Sequence, residues 1–152
     1  SGAEQVIEVH GSLRTVRCMD CHSGYDSRSI VPTRPHWEDE YRQGLYHYGT
    51  ECHCPACNGF LRPDVVLFGE SLPEKALAKA VQMSKTADFF VVLGSSLTVS
   101  PANYFPSWAA KNGAKLLIIN NEPTYLDDKA TWVIHDPIGK VLNNILEKVT
   151  QL

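Results

Sequence analysis

Apolar residues along this chain fall into two rhythms. Short apolar runs lie within residues 65–70, 88–93 and 115–119, stopped by Gly69, Gly94 and Asn120-Asn121. Strands that lack polar alternation are those covered on both faces of a sheet. Residues 4–10 read as a further short strand ending on His10-Gly11-Ser12. Helical spacing takes over elsewhere. Pro73 opens a helix to about residue 86, with Ala76, Leu77, Ala80 and Val81 on one face. Residues 101–112 read as a helix interrupted at Pro106 and closed by Gly113. The clearest stripe is the last one, Ile138, Val141, Leu142, Ile145, Leu146 and Val149 behind Pro137. Buried-type strands separated by helices predict an α/β fold: a parallel sheet with helices on both faces.

Composition narrows the function classes. With 152 residues, 43% hydrophobic and 20% charged, the chain has the length and make-up of about one globular domain. A formal net charge of −3 supplies no basic footprint for nucleic acid. Residues 89–110 carry no charge, but Gly94, Pro101, Asn103 and Pro106 break the continuous apolar character that a membrane span needs. No basic-then-apolar leader opens the sequence. The expectation is a soluble, cytoplasmic protein with neither membrane nor nucleic acid as partner.

The cysteines carry the strongest chemical signal. Four of five fall into two Cys-x-x-Cys pairs, Cys18 with Cys21 and Cys54 with Cys57, and two such pairs complete a tetrahedral sulfur site that zinc favours. Gly24 and Asn58-Gly59 supply permissive backbone for the turns. Two disulfides, or iron in the same geometry, are the alternatives. Cys52 can replace Cys54 only at a less common spacing and reads as a free thiol beside the site. With every ligand position filled by sulfur, no place remains for a reactive water, so the metal is expected to be structural. Residues 22–53 must loop out of the site, and residues 32–49, rich in Pro, His, Trp and Tyr, read as irregular.

Two strand runs end in small or amide residues, Gly94-Ser95-Ser96 and Asn120-Asn121. In open α/β sheets the ligand sits beyond the carboxyl ends of the strands, which makes these loops the first place to look for a nucleotide. Ordinary turn chemistry accounts for the same residues.

The order of these features resembles the sirtuins, NAD-dependent protein lysine deacylases. Val9-His10-Gly11-Ser12 resembles the family's catalytic His-Gly motif, and the two cysteine pairs follow it. Residues 62–70, Arg-Pro-Asp-Val-Val-Leu-Phe-Gly-Glu, resemble its substrate loop. Residues 94–102, Gly-Ser-Ser-Leu-Thr-Val-Ser-Pro-Ala, resemble its dinucleotide loop, and Asn120-Asn121-Glu122-Pro123-Thr124 its ribose-binding segment. The family's Gly-Ala-Gly phosphate loop and Asn-Ile-Asp segment have no counterpart here. The resemblance therefore covers a carboxyl-terminal part, an incomplete Rossmann-like domain over residues 1–16 and 62–152 with a zinc module over 17–61. Such a part is expected to lack independent stability and to be held by its missing amino-terminal segment or by another copy of the chain.

The resemblance implies a transfer of the acyl group of lysine to ADP-ribose, with free lysine, nicotinamide and O-acyl-ADP-ribose as products. By motif, His10 is the catalytic base, and imidazole suits proton removal at neutral pH. Val66, Phe68, Gly69 and Glu70 match the loop that pairs with an acyl-lysine peptide by strand addition. Gly94, Ser95, Ser96, Asn120, Asn121, Glu122 and Ile138 match the NAD-binding positions, Ile138 also beginning the stripe of the last helix. His22, His36, His47, His53 and His135 match no motif and read as surface or local contacts. Two other functions remain open: a non-catalytic module holding ADP-ribose-type ligands or acyl-peptides, and a sirtuin-type NAD hydrolase.

Overall fold

The computed structural model describes residue 3, residues 5–30 and residues 53–151. The stretch 32–49, with His36 and His47, and Cys52 lie outside the described residues. The chain forms two compact units, one made of Ser1–Val9 with Glu74–Leu152, the other of His10–Pro73.

The first unit, called here the sheet unit, is an α/β layer. Its strands β4 (Phe89–Leu93), β5 (Lys115–Ile119) and β6 (Trp132–Ile134) form a parallel sheet in the order β4-β5-β6. Helix α2 (Glu74–Thr86) precedes β4; a 3₁₀ turn (Ala102–Tyr104) runs into α3 (Phe105–Lys111) between β4 and β5. A second 3₁₀ turn (Asp127–Lys129) precedes β6, and α4 (Ile138–Val149) closes the unit. Pro106 sits in the first turn of α3, where its missing N–H costs nothing, so the expected interruption is a restart of the helix. Gly113 follows that helix at φ +94, as a chain reversal into β5 requires.

Side-chain alternation divides the sheet. Val92, Leu116 and Ile118 are buried with Leu97 and Leu126, with Phe90 and Ala110 packed against them. The opposite positions of β4 are open: Phe89, Val91 and Leu93 are 40–50% exposed. Among the described residues β4 pairs with β5 alone, so its other edge is bare. A cavity of about 410 Å³ runs along that edge, lined by Ile7, Val9, Met83, Phe89, Val91 and Phe105 among others. The stripe on α4 is likewise mostly bare: Val141 is buried, while Leu146 and Val149 are about 60% exposed.

The second unit, called here the thiolate unit, is built on antiparallel pairing. Strand β1 (Gly11–Cys18) lies between β2 (Gly24–Asp26) and β3 (Leu61–Val65), and α1 (Ser27–Ile30) adds one turn. Two expectations are corrected here. Residues 5–8 form no strand; the Val9 N–H turns back onto the Ile7 carbonyl at 3.1 Å, and ladder pairing begins at Gly11. The run 65–70 is a strand only at its first residue, β3 lying earlier over Leu61–Val65. Pro63 is accommodated in β3 because it opposes Val16 where the β1–β3 register slips, a place that needs no N–H from it. Segments 10–16 and 62–73 thus fold with the cysteines, since β1 and β3 bond to each other along their length. No described helix is long and apolar enough to cross a membrane.

Candidate functional site

The described residues of the thiolate unit offer little apolar interior. Among its described residues only Val16, Cys18 and Cys54 are buried. A unit this small needs a staple in place of a core, and the sulfurs are where that staple belongs. Cys18 ends β1, where its N–H donates to the Ser23 carbonyl at 2.9 Å, and the Cys54 N–H donates to the Gly59 carbonyl at 2.8 Å. The tight reversals use His22 and Asn58, both at φ 61; Gly24, expected to fill that role, keeps an ordinary φ.

The ligand atoms of Cys18, Cys21, Cys54 and Cys57 all lie within 4.8 Å of one another, and none is in a disulfide. Cys18 and Cys57 sulfurs are 3.5 Å apart, Cys21 and Cys54 sulfurs 3.6 Å. Bonds of about 2.3 Å from a central zinc place tetrahedral sulfurs about 3.8 Å apart, so the donor set and its spacing fit that ion. Backbone donors converge on the cluster: the N–H groups of Asp20 and Cys21 point at Cys18 Sγ. The Tyr25 hydroxyl at 3.0 Å holds the Cys54 thiol down to about 6, favouring its thiolate. Ser23 lowers Cys21 in the same way. Cys57 accepts from the Gly59 N–H, which favours its thiolate, but the Cys18 and Cys21 sulfurs beside it outweigh this and push it up to about 12. A cation among the sulfurs removes that conflict.

His10 is exposed and directly precedes β1; its carbonyl accepts from the Val66 N–H at 2.9 Å. Gly11 makes that approach possible. It stands at φ +75 opposite Val65, and a Cβ there would overlap the Asp64 carbonyl. The His-Gly pair is thus a device for bringing β1 against the end of β3. Bidentate contacts from Arg17 to Asp64, at 3.1 and 3.0 Å, fasten the same two strands.

Beyond β3 the loop is clamped. Arg62 reaches both oxygens of Glu70, at 2.6 and 2.9 Å, and also donates to the Val65 carbonyl. The Leu67 N–H donates to Glu70, whose carboxyl is drawn down to about 2 by Arg62 first and by this N–H second. Gly69 turns the chain at φ +89. The result leaves Phe68 97% exposed at the loop tip, with Val66 half-buried behind it. Arg62 was legible only as part of a motif; its pairing eight residues on with Glu70 is a tertiary fact.

In the sheet unit, Gly94, Ser95 and Ser96 follow β4, and Asn120, Asn121 and Glu122 follow β5, so both groups lie at the carboxyl end of the sheet. The Gly94 N–H donates to the Ile119 carbonyl at 2.9 Å, bringing the two strand ends together. Gly94 has φ +58, and a Cβ on it would stand 2.5 Å from Ile138 Cδ1. Ile138, at the start of α4, therefore joins the same end of the sheet. The Asn120 side chain is buried and spent on the Glu122 carbonyl at 2.7 Å, whereas Ser96, Asn121 and Glu122 are exposed. Glycine backbone, hydroxyls and a free carboxylate at strand ends suit the phosphates and sugar hydroxyls of a dinucleotide. His135, read as a local contact, bonds through Nδ1 to the Asn120 carbonyl at 3.0 Å and through Nε2 to Asp127 at 3.2 Å. It ties the β6 end to the β5 end, and no spacing rule points to it.

Comparisons with known proteins agree with this picture. The Sir2 family profile matches residues 1–101. The chain is 50% identical over 153 aligned residues to the NAD-dependent protein deacetylase 1 of Geobacillus kaustophilus, covering 100% of this chain and 56% of that protein. It is 39% identical over 153 residues to the NAD-dependent protein deacylase 2 of Archaeoglobus fulgidus, again covering 100% of this chain and 56% of that one. Among solved structures, a Sir2–p53 peptide–NAD+ complex superposes with a TM-score of 0.82 at 30% identity, over 99% of this chain and 58% of that one. A Sir2 protein bound to a propionylated peptide gives 0.82 at 31% identity, over 98% and 58%. The chain spans a little over half the length of these relatives.

Proposed function

This chain belongs to the Sir2 family, and from that premise we propose that it carries the catalytic base, peptide loop and metal module of an NAD-dependent protein lysine deacylase. The observation that carries the reading is the hydrogen bond between the His10 carbonyl and the Val66 N–H, made possible by Gly11. It fixes an exposed imidazole beside a loop edge, which is what proton removal next to a bound peptide requires.

The residues divide the work. Cys18, Cys21, Cys54 and Cys57 hold zinc, which supplies folding energy to the thiolate unit and takes no part in the reaction. Gly94, Ser95, Ser96, Asn121 and Glu122 receive NAD, with Ile138 against the strand-end loop. NAD supplies the ribose that accepts the acyl group. His10 removes a proton from a sugar hydroxyl and returns it to solvent or product. Val66 and Gly69 lie on the loop that extends along the peptide backbone by strand addition, and Phe68 offers an apolar wall to the methylenes and neutral acyl end of the substrate lysine. The Glu70 carboxylate is engaged by Arg62 and the Leu67 N–H and so shapes the loop, which leaves its backbone carbonyl for the peptide.

The bare β4 edge, its cavity and the open stripe on α4 mark where further structure docks. A parallel strand followed by a helix covers such an edge and flank together, and the relatives carry residues beyond the matched part that can provide them. Reduced thiolates on zinc suit the cytoplasm.

The test joins this chain to the portion of the Geobacillus kaustophilus protein that it does not match. Incubated with NAD and an acetyl-lysine peptide, the joined chain is expected to release free lysine peptide, and His10→Ala is expected to abolish release while zinc content stays at one per chain. Release undiminished in His10→Ala would remove His10 from the chemistry.

A further inference from the structure

The four sulfurs do not share one environment. Cys54, 3% exposed, has the Tyr25 hydroxyl 3.0 Å from its sulfur, while the exposed Cys21 has the smaller Ser23 hydroxyl at 3.3 Å and the Ser23 backbone N–H. Tyr25 is the middle residue of β2, opposite Val16 of β1, and Cys54 lies 29 residues further along the chain. A metal-bound thiolate can only accept, so with an ion in place the contact has one polarity: the phenol donates. Four thiolates around a divalent cation leave a net charge of about −2. Backbone N–H groups spread part of that charge at every sulfur, and at Cys54 the phenol adds a side-chain donor to those of Ala56 and Cys57.

We propose that Tyr25 is a positioning residue of the metal centre. Its hydroxyl aims Cys54 Sγ at the ion, links the second cysteine pair to the β1–β2 hairpin, and withdraws electron density from the sulfur. The bound metal leaves more slowly and the thiolate is less open to electrophiles. The inference concerns the thiolate unit alone and stands whether or not the deacylase reading does.

Tyr25→Phe keeps the ring and removes the hydroxyl. Loss of an outer partner of a metal ligand typically weakens metal binding about 10–100-fold; here the expectation is about 10-fold in competition with a chromophoric zinc chelator. In the cobalt-loaded chain the sulfur-to-metal charge-transfer band is expected to move to lower energy, because an unbonded thiolate gives up its electron more easily. Ser23→Ala should produce a smaller displacement. The band is read on whatever fraction binds cobalt, so partial folding does not hide it. In the unsubstituted chain loaded with a spin-active cadmium isotope, the Tyr25 hydroxyl proton should couple to the metal. Weaker binding with an unmoved band would assign Tyr25 to packing alone and overturn the proposal, as would an uncoupled hydroxyl.

Discussion

Replacing Gly11 by Ala isolates the contact on which the placement of His10 depends. Two costs arise at this position. A side chain at φ +75 is held in the left-handed region, at about 1–2 kcal/mol. The new Cβ also overlaps the Asp64 carbonyl, which is backbone and cannot swing aside, so β1 and β3 must part where Gly11 faces Val65. Overpacking of this kind costs about 1–3 kcal/mol, and the parting breaks the bond from the Val66 N–H to the His10 carbonyl. The total expected loss is about 2–5 kcal/mol. Gly69 provides a control inside the same unit: its φ is +89, yet a Cβ there meets nothing within 4 Å. Gly69→Ala should therefore cost only the conformational part, about 1–2 kcal/mol. Urea unfolding of the zinc-loaded chains measures both. Amide exchange then reports the local event: Val66 should lose protection in Gly11→Ala and keep it in Gly69→Ala. Equal losses in the two variants, with Val66 protected in both, would refute the close-approach argument.

Other expectations follow from the same geometry. Stripping the metal with a strong chelator should unfold the β1–β3 pairing, seen as lost amide protection throughout the thiolate unit; Cys18→Ser should do the same, because Cys18 is fully buried. Glu70 titrates far below an ordinary carboxyl because of Arg62 and the Leu67 N–H. A lowered folded value means that the clamp stabilises above the unfolded carboxyl range, about pH 4.3, and is lost as pH falls toward about 2. The Leu67 amide should accordingly lose protection, measured against its intrinsic exchange rate at each pH, as the pH is lowered, and Glu70→Gln should remove that dependence. Leu146→Lys places a charge on a bare apolar stripe. It should leave the chain alone no less stable, but should lower the melting temperature of the chain joined to its relative's remaining portion if that stripe becomes covered; equal melting temperatures would mean that it stays exposed.

Most of the sheet unit was legible in the sequence because its elements are buried-type runs punctuated by Gly, Asn and Pro. Phe89–Leu93 and Lys115–Ile119 read as strands, and Pro73, Pro106, Gly113 and Pro137 set helix limits close to those observed. Strand β6 (Trp132–Ile134) escaped notice because three residues carry no measurable period. The thiolate unit read well in its chemistry and poorly in its strands. Two Cys-x-x-Cys pairs name their ligand class by spacing alone. Strand β3 instead contains Pro63 and Asp64, residues that propensity keeps out of strands, and it forms because a register slip and Arg17 accommodate them. Tyr25, Arg62 and His135 act through partners 29, 8 and 15 residues away. No local pattern encodes such pairings.

The central claim is that this chain supplies the base and peptide loop of an acyl transfer from lysine to ADP-ribose. Mass analysis of the small-molecule products from the joined chain, NAD and an acetyl-lysine peptide tests it most directly. O-acetyl-ADP-ribose in equal amount to nicotinamide and free lysine peptide is the expected result. Nicotinamide accompanied by plain ADP-ribose, with the peptide still acetylated, would contradict it and make the protein an NAD hydrolase.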